Sequence, residues 1–346
     1  MIDILMACAK WWLVVALLGA AAIPVAGRLF GALPDRGLAF ARPLGLLGAG
    51  LIYWLGGMAG LLPNSRLGAL AAALAVLGGG FWLGRRDGLQ PAAWWRENRR
   101  LLLGYELLFV LAFVGWAIYR GFNPNIETAG GEKYMEMAFI SGILESPAFP
   151  PLDPWLSGGT ISYYYFGYVI AALLTRLAFV PRFEAFNLIV PMTLGLTLVA
   201  ACGLGWNLAG LAGAGRRARW ACGLLGGLVL ALMGSLEGFL ELAYIRAWLP
   251  ARVFDGLAIK NLGVATAVCG EPGSGYGAGG WVPGRFIWWW RGSRVITDID
   301  PLSGGCREVI HEFPFFSFML ADAHPHVMTL PYALLVLALA LAVMAG

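Results

Sequence analysis

All three histidines of this chain, His311, His324 and His326, fall within sixteen residues, in company with Glu312 and Asp322. The apolar stretch from Val327 to Gly346 follows at once. Titratable groups next to a bilayer core are costly, so such a cluster is a functional-site hypothesis by default. Asp322, His324 and His326 alternate along the chain. An extended backbone would let one carboxylate and two imidazoles converge on a divalent metal such as Mg or Mn. Alternatively, Pro325 opens a helix, with His324 near its N-cap and His326 in its first turn, where an anion such as phosphate is attracted. A plain interfacial ring that caps the helix is the third reading.

A second group of candidates lies between residues 121 and 160, where Glu127, Glu132, Glu136, Glu145 and Asp153 stand against Lys133. Glu132 and Glu136 are four apart and share a face if this piece is helical. Carboxylates held at a membrane surface can act as general bases or hold a metal; they can also simply solvate a loop. Tyr163, Tyr164 and Tyr165 then stand at a helix entrance, where aromatics commonly form the interfacial belt. Further on, Trp288-Trp289-Trp290-Arg291 with Ser293-Arg294 can seat an amphipathic stretch among headgroups. The same arginines can grip a lipid phosphate through bidentate contacts.

The elements that must position these residues are membrane helices. Hydrophobic residues make up 59% of the 346 and charged residues 13%, about half the charge of a soluble domain, and the mean hydropathy is +0.72. Runs of about 20 apolar residues predict an all-α polytopic protein with about eight transmembrane helices: Trp11 to Phe30, Leu44 to Leu62, Leu67 to Gly84, Leu101 to Arg120, Ile161 to Val180, Phe186 to Leu211, Trp220 to Leu242 and His326 to Ala345. Trp11 to Gly27 reads as a first membrane helix rather than a cleaved signal, given Asp3 and a weak n-region. Glycines 56–57 and 78–80 suit close helix packing in lipid.

Net charge is +4, with arginine in short clusters between apolar runs. That is a topology signal and excludes a nucleic-acid surface. Arg28, Arg36 and Arg42, and then Arg85, Arg86, Arg96, Arg99 and Arg100, place two loops in the cytoplasm and residues 121–160 outside. Arg216, Arg217 and Arg219 belong in the cytoplasm too, yet two ordinary crossings after residue 160 would put them outside. The expectation is that one segment between Ile161 and Leu211 does not cross simply, which also places residues from about 245 to 325 outside.

No CxxC occurs, which speaks against a thiolate zinc site. Cys8, Cys202 and Cys222 read as packing residues. Cys269 and Cys306 lie in the long second loop and could pair in an oxidising compartment. The P-loop, dinucleotide and GxSxG fingerprints are absent in credible contexts. The last segment stops at Gly346 while still apolar, so the chain reads as the N-terminal part of something longer.

Several motifs occur in order: Gly131-Glu132-Lys133, Pro150-Pro151-Leu152-Asp153-Pro154-Trp155, Tyr163-Tyr164-Tyr165-Phe166-Gly167, Trp289-Trp290-Arg291 with Ser293-Arg294-Val295-Ile296, and Glu312-Phe313-Pro314-Phe315-Phe316-Ser317-Phe318 through Asp322-Ala323-His324-Pro325-His326. Together they resemble the uncharacterised membrane family named for its YYY motif. The resemblance covers roughly residues 101 to 346, and residues 1–100 match only as apolar helices, giving an N-terminal helical part and a larger module. Glu136, where the family suggests aspartate, and Tyr134, where it suggests proline, depart from the pattern.

That family looks similar in plan to the GT-C glycosyltransferases, polytopic enzymes that use sugars carried on polyprenyl phosphate and bear an acidic catalytic residue in their first large external loop. The resemblance implies Glu132, or else Glu127, as the catalytic acid group. It implies Lys133, Asp153, the three tyrosines, Arg291, Arg294, His311 and Glu312 around substrate, with Asp322, His324 and His326 holding a divalent metal or the phosphate. The expected partners are the lipid bilayer and a polyprenyl-phosphate-linked sugar, at the plasma membrane, with no nucleic acid. The alternatives are a transporter or lipid flippase, and a non-catalytic scaffold for envelope assembly.

Overall fold

A computed structural model of the chain describes residues 2–127, 131–234, 236–257, 259, 262–263, 275–284 and 288–346; side chains 2–3 and 288–290 lie outside that description. Two compact units divide the chain, residues 1–231 with 320–346, and residues 232–319. This division differs from the expected split at residue 100.

The first unit begins with α1 (Ile2–Leu29), α2 (Ala41–Met58), α3 (Arg66–Arg86) and α4 (Pro91–Gly121). It continues with α5 (Lys133–Glu145), α6 (Phe166–Ala178), α7 (Arg182–Leu211) and α8 (Arg216–Ala231), and it closes with α12 (Pro325–Met328) and α13 (Leu330–Ala345). Among the described residues, six stretches are long and apolar enough to cross a membrane: Ile4–Leu29, Leu38–Met58, Arg66–Arg86, Pro91–Gly121, Arg182–Leu211 and Pro325–Ala345. The chain is thus an all-α, multi-pass integral membrane protein.

Two of the eight expected crossings fall short. α6 has 13 residues, about 20 Å at 1.5 Å per residue, against a hydrocarbon core of about 30 Å. The segment expected from Trp220 to Leu242 stops as a helix at Ala231.

α7 is the central post, buried along most of its length. Near its start Asn187 Nδ2 donates to Pro124 O at 3.1 Å, beside the far end of α4. Near its finish Asn207 Nδ2 donates to Asp35 Oδ1 at 2.9 Å, in the loop after α1. It therefore runs from the face bearing residues 121–160 to the face bearing the first arginines. α8 returns along it through two glycines with no room for a side chain: a Cβ on Gly223 would sit 2.7 Å from Cys202 O, and one on Gly227 would sit 3.2 Å from Leu198 O.

α6 lies across α2. Tyr165, at its start, accepts a hydrogen bond from Trp54 Nε1 at 3.0 Å. Arg176, at its finish, reaches Tyr53 and Asn64 and donates to Leu144 O at 3.0 Å. Both ends thus sit at one turn of α2, which meets the expectation that a segment between 161 and 211 does not cross simply. With α7 entering from the external face, Arg216, Arg217 and Arg219 fall with the other arginine clusters.

The second unit contains α9 (Glu237–Ile245), α10 (Ala251–Leu257), a 3-10 turn at Trp288–Ser293 and an antiparallel pair, β1 (Thr297–Ile299) with β2 (Cys306–Glu308). α11 (Pro314–Leu320) ends it. A small core of Ala243, Tyr244, Ile245, Phe254 and Leu262 holds it together. Cys306 is disulfide-bonded, a bond suited to an oxidising compartment. Cys269, its expected partner, lies outside the described residues, and Cys8, Cys202 and Cys222 are free.

Candidate functional site

The first unit brings together two stretches about 190 residues apart. α5 follows Gly131 and Glu132, and α12 follows Asp322, Ala323 and His324. Glu132 N donates to Asp322 Oδ1 at 3.2 Å, and Ala323 N donates to Glu136 Oε2 at 3.0 Å. Each stretch lends a carboxylate to the other's backbone.

Gly131 makes this approach possible. Its φ is +81°, a left-handed conformation that L side chains rarely adopt. A Cβ there would also stand 2.7 Å from Asp322 Cγ. The sequence pointed to the Gly-Glu-Lys motif but gave no sign of this role for its glycine.

Glu132 and His324 face each other over this join. His324 Nε2 is 3.3 Å from Glu132 Oε2 and 3.1 Å from the Tyr163 hydroxyl. Its other nitrogen, Nδ1, meets Nδ1 of His326. The Glu132 side chain is 55% exposed and that of His324 24% exposed, so the pair is open to a ligand while its backbone is tied down. Tyr163 packs between Phe139, tilted at 5.5 Å, and Tyr164, edge-on at 5.2 Å. Burial, with the charge of Glu132 beside it, raises the Tyr163 phenol above its ordinary value.

Behind the pair, Glu136 is fully buried. Burial first, and then the neighbouring charge of Asp322, push its carboxyl up to about 10, so it is protonated at neutral pH. Lys133 is buried too, and its ammonium is pushed down chiefly by that burial and by Arg120, against the pull of Asp322 and Glu136. Arg120 donates to the carbonyls of Asn123 and Asn125, which shapes the approach to Glu127. Glu127 itself is exposed and accepts from Asn125 Nδ2 at 3.1 Å; it is not part of the Glu132–His324 contact.

Beneath Tyr163, a groove of about 300 Å³ runs between α6 and the start of α13, lined by Trp54, Tyr163, Tyr164, Tyr165, Met328 and Tyr332 among others. Its walls are largely aromatic and aliphatic, with a hydroxyl-bearing rim.

The expected three-ligand metal set does not form. Pro325 starts its helix at once, with His324 as an extended N-cap, so the alternation ends before His326. Asp322 is engaged by Glu132 N, and Glu136 lies beside it. Among the described residues no group of three or more His, Cys, Asp or Glu side chains could hold a metal ion. The helix-start reading of Pro325, by contrast, describes what is seen.

The remaining candidates have other places. Asp153 Oδ1 accepts from Trp155 N and Leu156 N at 2.7 and 3.1 Å, closing a turn. Arg291, Arg294, His311 and Glu312 belong to the second unit. There Arg294 donates to Ser293 Oγ at 2.6 Å, His311 N donates to Ser293 O at 3.1 Å, and Glu312 accepts from Ser317 Oγ at 3.2 Å.

No curated protein and no solved structure matches the chain. A family match begins at residue 49 rather than near 101, and so takes in α3 and the larger part of α2. Over residues 49–346 the chain matches the uncharacterised membrane protein family DUF2298, and it belongs to that family.

Proposed function

We propose that this protein is a membrane glycosyltransferase of GT-C type, moving a sugar from a polyprenyl-phosphate donor to an acceptor on the external face. The observation that carries the reading is an accessible carboxylate, Glu132, 3.3 Å from His324 Nε2, next to a groove suited to an amphiphile. Apolar walls accept an isoprenoid tail, and the polar rim meets its headgroup.

In this reading Glu132 Oε2 takes the proton of the acceptor hydroxyl. The acceptor oxygen bonds to the anomeric carbon, the bond from that carbon to the phosphate oxygen breaks, and polyprenyl phosphate leaves with the electron pair. His324 orients Glu132 and, with His326, meets the negative charge of the leaving phosphate. No step is routed through a metal, because the donor set expected for one is not assembled.

The test is sugar transfer by the purified full chain in lipid nanodiscs supplied with polyprenyl-phosphate sugars. Glu132→Gln should lower turnover about 100-fold or more, in the range general-base removal costs, and His324→Ala should lower it less. Unchanged rates in both variants overturn the assignment.

A flippase or transporter is the second reading, and one observation favours it. Glu106 lies six residues past Arg100, toward the arginine-bearing end of the apolar part of Pro91–Gly121. It pairs with Arg42, and it accepts from Trp12 Nε1 at 2.7 Å. Both charged residues line a cavity of about 220 Å³ between α1, α2, α4 and α7, and an ion pair beside such an interhelical cavity suits the handling of a charged cargo. Translocation of a lipid by proteoliposomes without any covalent product, abolished in Glu106→Gln, would select it.

A further inference from the structure

Two carboxyl groups meet at the join behind Glu132, and their surroundings specify what they do. Glu136 Oε2 accepts from Ala323 N. Glu136 Oε1 is buried and, as an ionised oxygen, finds no donor among the described residues. Asp322 lies beside it, close enough for a side-chain hydrogen bond, and Asp322 Oδ1 is already engaged by Glu132 N. Two carboxylate oxygens bond only if one carries a proton. Placing that proton on Glu136 satisfies Oε1 and leaves Asp322 as the single negative charge, with the Lys133 ammonium nearby.

We propose that Glu136 and Asp322 are positioning residues that share one proton and clasp the start of α5 to the start of α12, so that Glu132 and His324 are held in reach of each other. The groups facing Glu136 are Asp322, Glu132, Tyr163 and Tyr168. Lys133 joins them, with Arg120 and Glu127 on its far side. All but Lys133 and Arg120 are acids, so a second negative charge at this place is resisted from several directions. Asp322 is thereby assigned a backbone-tethering role in place of the metal ligation suggested by its spacing. The departure at Glu136 also gains a purpose, since the longer side chain reaches the Ala323 amide.

The inference rests on Glu132 and His324 as the working pair, but its test needs no turnover. Glu136 holds its proton in the folded chain far above the ordinary carboxyl value of 4.5, up to about 10. The folded state therefore binds a proton that the unfolded state releases. Stability from this group is full below about 4.5 and drains away as pH rises toward about 10.

The full chain is melted in nanodiscs from pH 5 to pH 9, as wild type, Glu136→Gln, Glu136→Ala and Asp322→Ala, and amide exchange is followed at residues 131–136 and 322–328. Glutamine keeps the acceptor for Ala323 and a donor for Asp322 without an ionisable proton. Glu136→Gln should match wild type in exchange at pH 7 and lose less melting temperature as pH rises. Asp322→Ala and Glu136→Ala, which remove the acceptors for Glu132 N and Ala323 N, should speed exchange in both segments at least tenfold. Equal pH slopes for wild type and Glu136→Gln, or exchange in Glu136→Gln as fast as in Glu136→Ala, overturn the clasp. If the alanine variant does not fold, the pH slopes of wild type and Glu136→Gln decide alone. Loss of transfer in Glu132→Gln is a separate measurement, so either reading can fail without the other.

Discussion

Gly131→Ala sets two costs against each other at one atom. The left-handed backbone disfavours any L side chain by about 1–2 kcal/mol, and the new methyl would press on Asp322 Cγ from 2.7 Å. Asp322 is expected to give way, with a stability loss of about 1–3 kcal/mol and faster exchange at Glu132 N; a melt and an exchange profile like wild type would show that the join does not depend on this glycine. Tyr163→Phe removes only the hydroxyl on His324 Nε2 and should lower sugar transfer several-fold while leaving the melt unchanged, as kinetics beside calorimetry can show. At this scale the sequence disclosed chemical type better than company. Pro325 announces a helix start, and His324 is indeed its N-cap. Glu132 stood out as an acid in the 121–160 loop, and it meets His324 there. That Asp322 serves a backbone amide and that Glu136 is sealed from water could not be read, because both depend on contacts nearly 190 residues apart. The alternation of Asp322, His324 and His326 assumes an extended chain, and of the two backbone readings offered for it the chain follows the one in which Pro325 begins a helix.

Helices obey composition in their existence and neighbours in their length. The arginine clusters showed that one apolar segment after residue 160 had to be unusual, and α6 is that segment, a short helix laid across α2. Single cysteines at Ser157 and Glu184, both exposed, should therefore label from the same side of the membrane, with one at Arg216 labelling from the other. Labelling of Ser157 and Glu184 from opposite sides would restore an ordinary crossing. The end of α8 at Ala231 was not read from residues 220–242, although Gly234, Ser235, Glu237 and Glu241 interrupt that run, because hydropathy averaged over a span does not register where a helix breaks. The glycine positions were legible only as a class. Gly45 packs against Leu18 O, 2.2 Å from where a Cβ would be, and Gly80 against Ala21 O at 1.9 Å, whereas Gly78 and Gly79 face open space. Gly80→Ala should cost about 1–3 kcal/mol as an overpacking change, and Gly79→Ala should be close to neutral in the same thermal assay.

Across the whole molecule, charge and hydropathy identified a multi-pass protein, and the family match agrees, but contact between distant segments drew the units. Within residues 1–100, α1, α2 and α3 all pack against α6, which begins only at Phe166. The second unit has its own small core and a disulfide at Cys306. Reduction should cost it a few kcal/mol, about 2–5 for a small domain, and deprotect residues 232–319 in exchange measurements while α1 to α4 stay protected; uniform loss of protection would show one cooperative body. The placement of α6 bears on kinetics as well. Since this half-length helix borders the Tyr163–Tyr165 groove, the lipid-borne donor proposed above would arrive by sliding within its own leaflet, never exchanging oil for water. Its encounter rate is then set by surface mole fraction rather than by molar concentration, and diluting the donor with inert phospholipid at constant total amount should slow the reaction in proportion.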